Sequence, residues 1–319
     1  MNNSKELVKK IAIIGAGYMA KEHIKVFKDI NNVEIVGIYS RTKKKAVDLS
    51  LEYSIKSVAD SISELYSLTK ADLVIIAVSE LEVRKVCEEA FKFPWMLLIE
   101  KPIGLNLVEA SYLSDLAKKN SLNIFVALNR RHYSSTRFAL KELCENTEKR
   151  VVQIFDQEYP SIALQNGSST LVTENWMYAN SIHLIDYFNL FCRGELLSVE
   201  NICTWEQNKF SFVLSKLEYS SGDIGVYNAI WEGPSPWIVS INTESVRVEL
   251  KPLEQVSIQN FGERKSTITP VDEWDLKFKP GLRRQAEETI AALNGEAYFL
   301  PSIDDGLSTM KLINKIYEN

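Results

Sequence analysis

Two short strings carry residue types that can do chemistry. Gly15-Ala16-Gly17-Tyr18-Met19-Ala20 follows the apolar run Ile11–Ile14 and opens an amphipathic stretch near Tyr18. In this strand–turn–helix context Gly15 permits a sharp turn and Gly17 presents no side chain to a pyrophosphate. Ala20 lets helix and strand pack closely. Exposed amides and the helix dipole then favour the negative charge of the phosphates. A tight turn with no ligand is the alternative. The second string, Glu100-Lys101-Pro102, ends the apolar run Met96–Ile99. It therefore falls at the carboxyl edge of a sheet, where ligands of open α/β sheets bind. A desolvated lysine there gives up its proton more readily, and Glu100 restrains its position and charge. Pro102 fixes the backbone and helps to aim the amine. Such a lysine can move a proton or steady a developing oxyanion; a structural ion pair with Glu100 is the alternative.

The kind of dinucleotide is read from the second strand. NAD-selective proteins place an acid at its end, to hold the ribose hydroxyls. Here the strand ends "GIYSRTKKK", with no Asp or Glu between Ile35 and Val47. Ser40, Arg41 and Thr42 are instead suited to a 2′-phosphate, and Arg41 to stacking on adenine. Lys43 to Lys45 add positive charge or form an ordinary solvated helix start. The expected cofactor is NADP, with NAD left open.

The elements that must position these residues alternate. Ile11–Ile14, Glu34–Ser40, Leu73–Val78, Met96–Ile99 and Ile124–Ala127 read as strands. Ser61 with Glu64, Ser79 with Glu82, and Asn106 with Glu109 resemble capping boxes that start the intervening helices. This alternation implies βαβ units and a doubly wound parallel Rossmann sheet over residues 1–128. From about residue 148, "VVQIFDQEY", "SVENICTWEQ", "FSFVLSKLEYSSGDIGVYNAIW", "WIVSINTESVRVEL" and "VSIQNF" read as successive strands. Ser221-Gly222-Asp223 and Asn242 to Ser245 supply turns. Closing helices are expected near Leu282 and Asp304. The fold class is thus α/β plus α+β, with residues 129–319 forming a large, mostly antiparallel open sheet backed by helices.

Composition narrows the classes. The chain has 319 residues, is 45% hydrophobic and 25% charged, and carries a net charge of −5. An acidic balance speaks against a nucleic-acid partner. No run approaches a membrane span, and "MNNSKELVKK" lacks the apolar stretch of a signal peptide, so a cytoplasmic protein without membrane contact is expected. Cys87, Cys144, Cys192 and Cys203 are scattered without CxxC spacing, and there are three histidines, so no metal site is expected.

Taken with Asn129-Arg130-Arg131 after the fifth strand, "SIHLIDYF", "LRRQAEETIAAL" and "DDGLSTMKLI", the chain resembles the glucose–fructose oxidoreductase/inositol dehydrogenase/MocA family along nearly its whole length. The resemblance implies an NAD(P)-dependent oxidoreductase that moves hydride between nicotinamide C4 and a hydroxyl or carbonyl carbon of a sugar, nucleotide sugar or cyclitol. It implies phosphate contacts from Gly15, Gly17, Tyr18 and Met19. Nicotinamide-side contacts map to Ala77, Val78, Ser79 and Glu100, and a central catalytic lysine to Lys101. It also implies a homodimer or homotetramer built through the open sheet.

His183, with a pKa near neutrality, suits acid/base work, and this reading needs it to converge with Lys101 on the nicotinamide from a separate domain. Members of the family often carry an aspartate four residues before this histidine, in a glycine-rich loop. Here that position is Ala179, and the loop is replaced by "TENWMYANS". Tyr178 and Asn180 are the nearest polar substitutes, Trp176 can stack on a sugar, and Arg130 can form part of a polar substrate wall. Core packing for Trp176 and a salt-bridge cluster around Arg130 and Arg131 are the alternatives. His23 reads as a packing or supporting residue. Two rivals to hydride transfer remain: a non-catalytic NADP-binding regulatory protein, and a lyase or hydrolase that uses its nicotinamide transiently.

Overall fold

Apolar runs of four or five residues build the amino-terminal sheet, because a parallel sheet is covered on both faces and needs no alternation. The computed structural model describes residues 8–207 and 209–318. The stretch of residues 1–7, read above for a signal peptide, lies outside the described residues. Strands β1 (Lys9–Ile14), β2 (Val33–Tyr39), β3 (Ser57–Ala59), β4 (Leu73–Ile76), β5 (Met96–Glu100) and β6 (Ile124–Ala127) pair in the order β3-β2-β1-β4-β5-β6, all parallel. The connecting helices are α1 (Tyr18–Lys28), α2 (Lys43–Tyr53), α3 (Ile62–Thr69), α4 (Glu80–Ala90) and α5 (Leu107–Lys119). The strand order reverses between β1 and β4, so their carboxyl ends flank the crevice that such sheets use for ligands.

Two of the three anticipated capping boxes form. Ser61 Oγ accepts from Glu64 N at 3.0 Å, and Glu64 in turn accepts from Asp60 N at 2.5 Å. Asn106 Oδ1 accepts from Glu109 N at 3.1 Å, and Glu109 from Leu105 N at 2.9 Å. Ser79 makes no side-chain cap; its carbonyl accepts from Glu82 N at 2.9 Å. Its side chain is left on the crevice wall.

The chain divides into two compact units. The first runs to Leu128 and regains Leu282–Leu307, and the second comprises Asn129–Gly281 and the chain from Ser308. A division into 1–128 and 129–319 thus differs from the structure by one returning segment. Its helix packs on α1, with Arg283 Nε 3.0 Å from Asp29 Oδ2. Farther on, Val126 N donates to Pro301 O at 2.9 Å, which covers the β6 edge.

The second unit contains a 3₁₀ turn (Asn129–His132), then α6 (Ser134–Glu142), β7 (Val151–Glu158), α7 (Pro160–Gln165), α8 (Thr170–Glu174), a π-helical turn (Met177–Ser181) and α9 (Ile182–Phe191). After these come β8 (Leu196–Cys203), β9 (Ser211–Tyr219), β10 (Ile224–Trp231), β11 (Ile238–Asn242), β12 (Val246–Leu250), β13 (Val256–Asn260), β14 (Thr267–Thr269) and α10 (Glu273–Lys277). The last two helices of the chain are α11 (Leu282–Asn294), which belongs to the first unit, and α12 (Ile303–Tyr317). The eight strands run β14-β13-β12-β11-β7-β10-β9-β8, antiparallel except for the β7–β10 pair. Alternate residues of β7, β9 and β10 are buried, as expected of a sheet with one covered face. Tyr187, Phe188 and Phe191 of α9 join Tyr227 and Trp231 in that core.

Candidate functional site

The first unit holds a cavity of about 510 Å³ at the β1/β4 reversal. It is lined by Gly15, Gly17, Tyr18, Met19, Ser40, Arg41, Thr42, Ala77, Val78, Ser79, Glu100 and Lys101, so every residue assigned to the cofactor from sequence lies on one wall system. Gly15 has φ +118°, and a Cβ there would stand 2.0 Å from the Ala77 carbonyl oxygen, so strand and turn meet with no room for a side chain. A Cβ on Gly17 would meet nothing within 4 Å; its open side is the cavity. The α1 amino terminus has neither a side-chain cap nor an acid in its first turn, and the last turn carries Lys25 and Lys28. Its amides are suited to a pyrophosphate. These features fit a dinucleotide, with the phosphates at Gly15–Met19 and an adenosine end at Ser40–Thr42.

Charge on the cavity wall is mixed. Arg41, Lys45, Lys85 and Lys101 face Glu80, Glu82, Glu89 and Glu100. The Arg41 guanidinium is ion-paired with Glu82, contributed by α4. Sequence reading saw Glu82 only as a helix-capping partner; 41 residues of separation hid its approach to Arg41. Lys43 points to Asp60 at 2.5 Å and is not among the lining residues.

Below the lysine, Glu100 Oε1 is 2.6 Å from His23 Nε2, and the His23 ring is fully buried. His23 projects from α1, whose start forms the phosphate turn, so one contact ties the glycine turn to the Glu100-Lys101 strand end. The Lys101–Pro102 peptide is cis.

The second unit holds the remaining assigned residues. His183 is in the first turn of α9, one helical turn from Asp186. Asp186 is bound bidentately by Arg131, Nε at 2.7 Å and Nη2 at 2.6 Å, and also accepts from Thr309 at 2.8 Å. Arg131 is therefore a buried structural cation. Arg130 lays its guanidinium over the Trp237 ring at 4.4 Å, with Nη1 buried. Trp176 Nε1 and Asn180 Nδ2 both donate to Glu158 Oε2 at 2.7 Å, and Ser181 Oγ donates to Glu158 Oε1 at 2.7 Å. Tyr178 turns the other way: its hydroxyl donates to Asn314 Oδ1 at 2.9 Å, and burial pushes it up to about 12.

The sequence reading missed Asp156 and Glu158, although a signal existed. Both lie at inward positions of β7, where Val152 and Ile154 set an apolar pattern. Burial raises Glu158 well above the ordinary carboxyl range, and the adjacent Asp156 adds to it. Burial likewise lifts Asp156 to about 6, against the pull of its bond from Tyr227. Among the described residues no cluster of His, Cys, Asp and Glu is arranged to hold a metal, and no helix is long and apolar enough to cross a membrane.

Comparison with known proteins agrees with this geometry. Residues 9–128 match the GFO_IDH_MocA model, described as an oxidoreductase family with an NAD-binding Rossmann fold. Glucose-6-phosphate 3-dehydrogenase of Bacillus subtilis (strain 168) is 30% identical over 141 residues, covering 44% of this chain and 39% of that protein. The 4-carboxy-2-hydroxymuconate-6-semialdehyde dehydrogenase of a Sphingobium strain is 23% identical over 186 residues, or 56% of this chain and 58% of that protein. The matched stretches thus cover less than two thirds of either curated relative. A dehydrogenase from Chromobacterium violaceum superposes with a TM-score of 0.82 over 97% of this chain and 94% of its own, at 18% identity, which establishes the shared fold. Residues 9–128 thus resemble the NAD-binding Rossmann fold of the glucose–fructose oxidoreductase/inositol dehydrogenase/MocA oxidoreductase family.

Proposed function

We propose that this protein is an NADP-preferring oxidoreductase acting on a CH–OH group of a sugar, nucleotide sugar or cyclitol. The observation that carries the reading is the cavity at the β1/β4 reversal, which joins the glycine turn, Ser40-Arg41-Thr42 and Lys101 in one wall. When bound, the nicotinamide supplies the hydride acceptor in one direction and the donor in the other. The protein's residues do the rest. Gly15, Gly17 and the α1 amides bind phosphate, and Arg41 carries the cation for a 2′-phosphate. Lys101, on a strand end braced by the His23–Glu100 contact, donates to the substrate oxygen and steadies negative charge as it develops. His183 takes the hydroxyl proton during oxidation and returns it during reduction. Trp176, Asn180 and Arg130 serve as the polar and stacking wall for the sugar. Tyr178 supports that wall from behind through Asn314.

The relative from Bacillus subtilis makes glucose 6-phosphate the first substrate to try. In our reading the protein is cytoplasmic, in keeping with its free cysteines, and a homodimer or homotetramer through the open sheet face. Light scattering of the purified chain measures that state. The enzymatic test is Lys101→Met, expected to cut turnover by about 10²-fold or more while NADPH titrates as in the unaltered protein. Undiminished turnover would remove the lysine from the chemistry. One observation favours a second reading, an NADP-binding regulatory protein: the family's usual carboxylate position is Ala179. Substrate-dependent loss of NADPH absorbance separates the two.

A further inference from the structure

Strand β7 alternates, and its covered face carries Val152, Ile154, Asp156 and Glu158, all without solvent exposure. Two acids in an apolar row are costly unless fully hydrogen-bonded. They are. Glu158 receives Trp176 Nε1, Asn180 Nδ2 and Ser181 Oγ, each at 2.7 Å. Asp156 receives the Tyr227 hydroxyl and the Gln157 amide, also at 2.7 Å, and the Tyr227 hydroxyl lies 2.9 Å from that of Tyr317. The two carboxyls are next but one on the same covered face of the strand, and Asp156 pushes Glu158 further up. Burial of both therefore favours proton uptake by the pair.

The three donors to Glu158 all come from the π-helical turn Met177–Ser181 and the residue before it. An α-helix aligns residues four apart; the wider π turn lets Trp176, Asn180 and Ser181 reach one carboxyl together. The turn runs straight into α9, and His183 follows Ser181 by two residues. We propose that the Asp156–Glu158 pair, through its bonds to Trp176, Asn180 and Ser181, fixes the π-helical turn from which the His183 helix departs, making Glu158 a positioning residue for that histidine. The inference rests on the reading of His183 as the acid/base group. It accounts for Ala179: a carboxyl reaches this turn from the neighbouring strand and not from within the loop. Among the described residues, the titratable groups that act on the pair include Arg130 from the 3₁₀ turn, Tyr227 from β10 and, through Tyr227, Tyr317 from α12. On α9, Asp186 is committed to Arg131 and Thr309.

The test uses the full chain with Glu158→Gln, which keeps the shape and replaces the carboxyl, with its two acceptor oxygens, by an amide with one. Three quantities are read: the Trp176 indole proton and the His183 ring protons by NMR across pH, the NADPH dissociation constant, and kcat and KM with NADP and glucose 6-phosphate. The His183 signal is assigned by its loss in His183→Gln. Glu158→Gln is expected to move the indole proton upfield and shift the His183 titration by about half a pH unit or more. It should lower kcat about tenfold with NADPH binding within about twofold. Trp176→Phe removes one donor and keeps the carboxyl; it should shift His183 in the same direction by less, and serves if Glu158→Gln does not fold. A His183 titration that neither variant alters overturns the inference. Should no sugar or sugar phosphate be turned over, the proposed activity falls, while the histidine titration still decides whether the pair positions His183.

Discussion

The pairing of Arg41 with Glu82 gives the cofactor assignment a quantitative test. Arg41 is three-quarters exposed and Glu82 less than one-third exposed, so the arginine can swing while the glutamate is held by α4. An exposed pair of this kind stabilises by about 0.2–1 kcal/mol, which a 2′-phosphate must displace. Against that, an arginine–phosphate bond contributes about 1.5–3 kcal/mol. Glu82 also repels the phosphate once both share the arginine, at a cost of about 0.5–2 kcal/mol for a screened surface site. Replacing Glu82 with glutamine removes both penalties and keeps the side-chain volume. The sum, about 0.7–3 kcal/mol, corresponds to NADPH binding tighter by roughly 3- to 150-fold. NADH lacks the phosphate and should bind within about twofold of its unaltered affinity, and the NADPH gain should shrink as salt screens it. Fluorescence titration of both nucleotides at low and high salt measures this. An unchanged NADPH-to-NADH ratio would refute the reasoning. A large loss of NADH affinity would be more telling still. It would make Glu82 the acid that holds the ribose hydroxyls, supplied by α4 where sequence reading sought it on β2.

Other expectations follow from particular contacts. Gly15→Ala places a Cβ 2.0 Å from the Ala77 carbonyl at φ +118°; dinucleotide binding should be lost and stability should drop by about 2–4 kcal/mol in denaturant titration. Asp223 is fully buried and accepts from the Arg150 amide and from the amide, Nε and Nη2 of Arg193. Burial pushes its carboxyl up, but Arg193 and the two amides outweigh this and hold it down to about 2. Asp223→Asn should therefore cost about 2–4 kcal/mol at neutral pH. In the intact protein this contribution, present above the unfolded value near 4, should fade as pH falls toward about 2. The Asp156–Glu158 pair acts in the opposite sense. Its raised folded values mean that the native state binds protons more tightly than the unfolded chain. Stability from this source is complete below about pH 4 and declines as pH rises through about 6 and beyond. Glu158→Gln should flatten that decline in thermal midpoints; parallel curves for the two proteins would contradict it.

What could be read from the chain follows from how each feature is encoded. Strands β1, β4, β5 and β6 are continuous apolar runs closed on both faces, and their glycine and Glu-Lys-Pro ends are local strings, so the fold and the residues that line the cavity at the β1/β4 reversal were legible. Strand β3 is three residues long, too short for any period to register. The return of Leu282–Leu307 to the first unit depends on a helix–helix contact with α1 and a bond to β6, neither of which leaves a local pattern. The same reasoning separates the two hidden carboxylates. Glu82 sits in an ordinary acidic first turn of α4, and nothing in its neighbours announces Arg41. Glu158 was encoded: a strand that buries every second residue cannot place two acids on its covered side without partners to satisfy them. The polar residues Trp176, Asn180 and Ser181, unexplained as a loop, are those partners. Reading the pattern violation in β7 together with the polar loop that replaces the family's glycine-rich one would have joined the two anomalies. On the proposed reading, Ala179 and the buried Glu158 are one change in the route by which a carboxyl reaches the turn before His183.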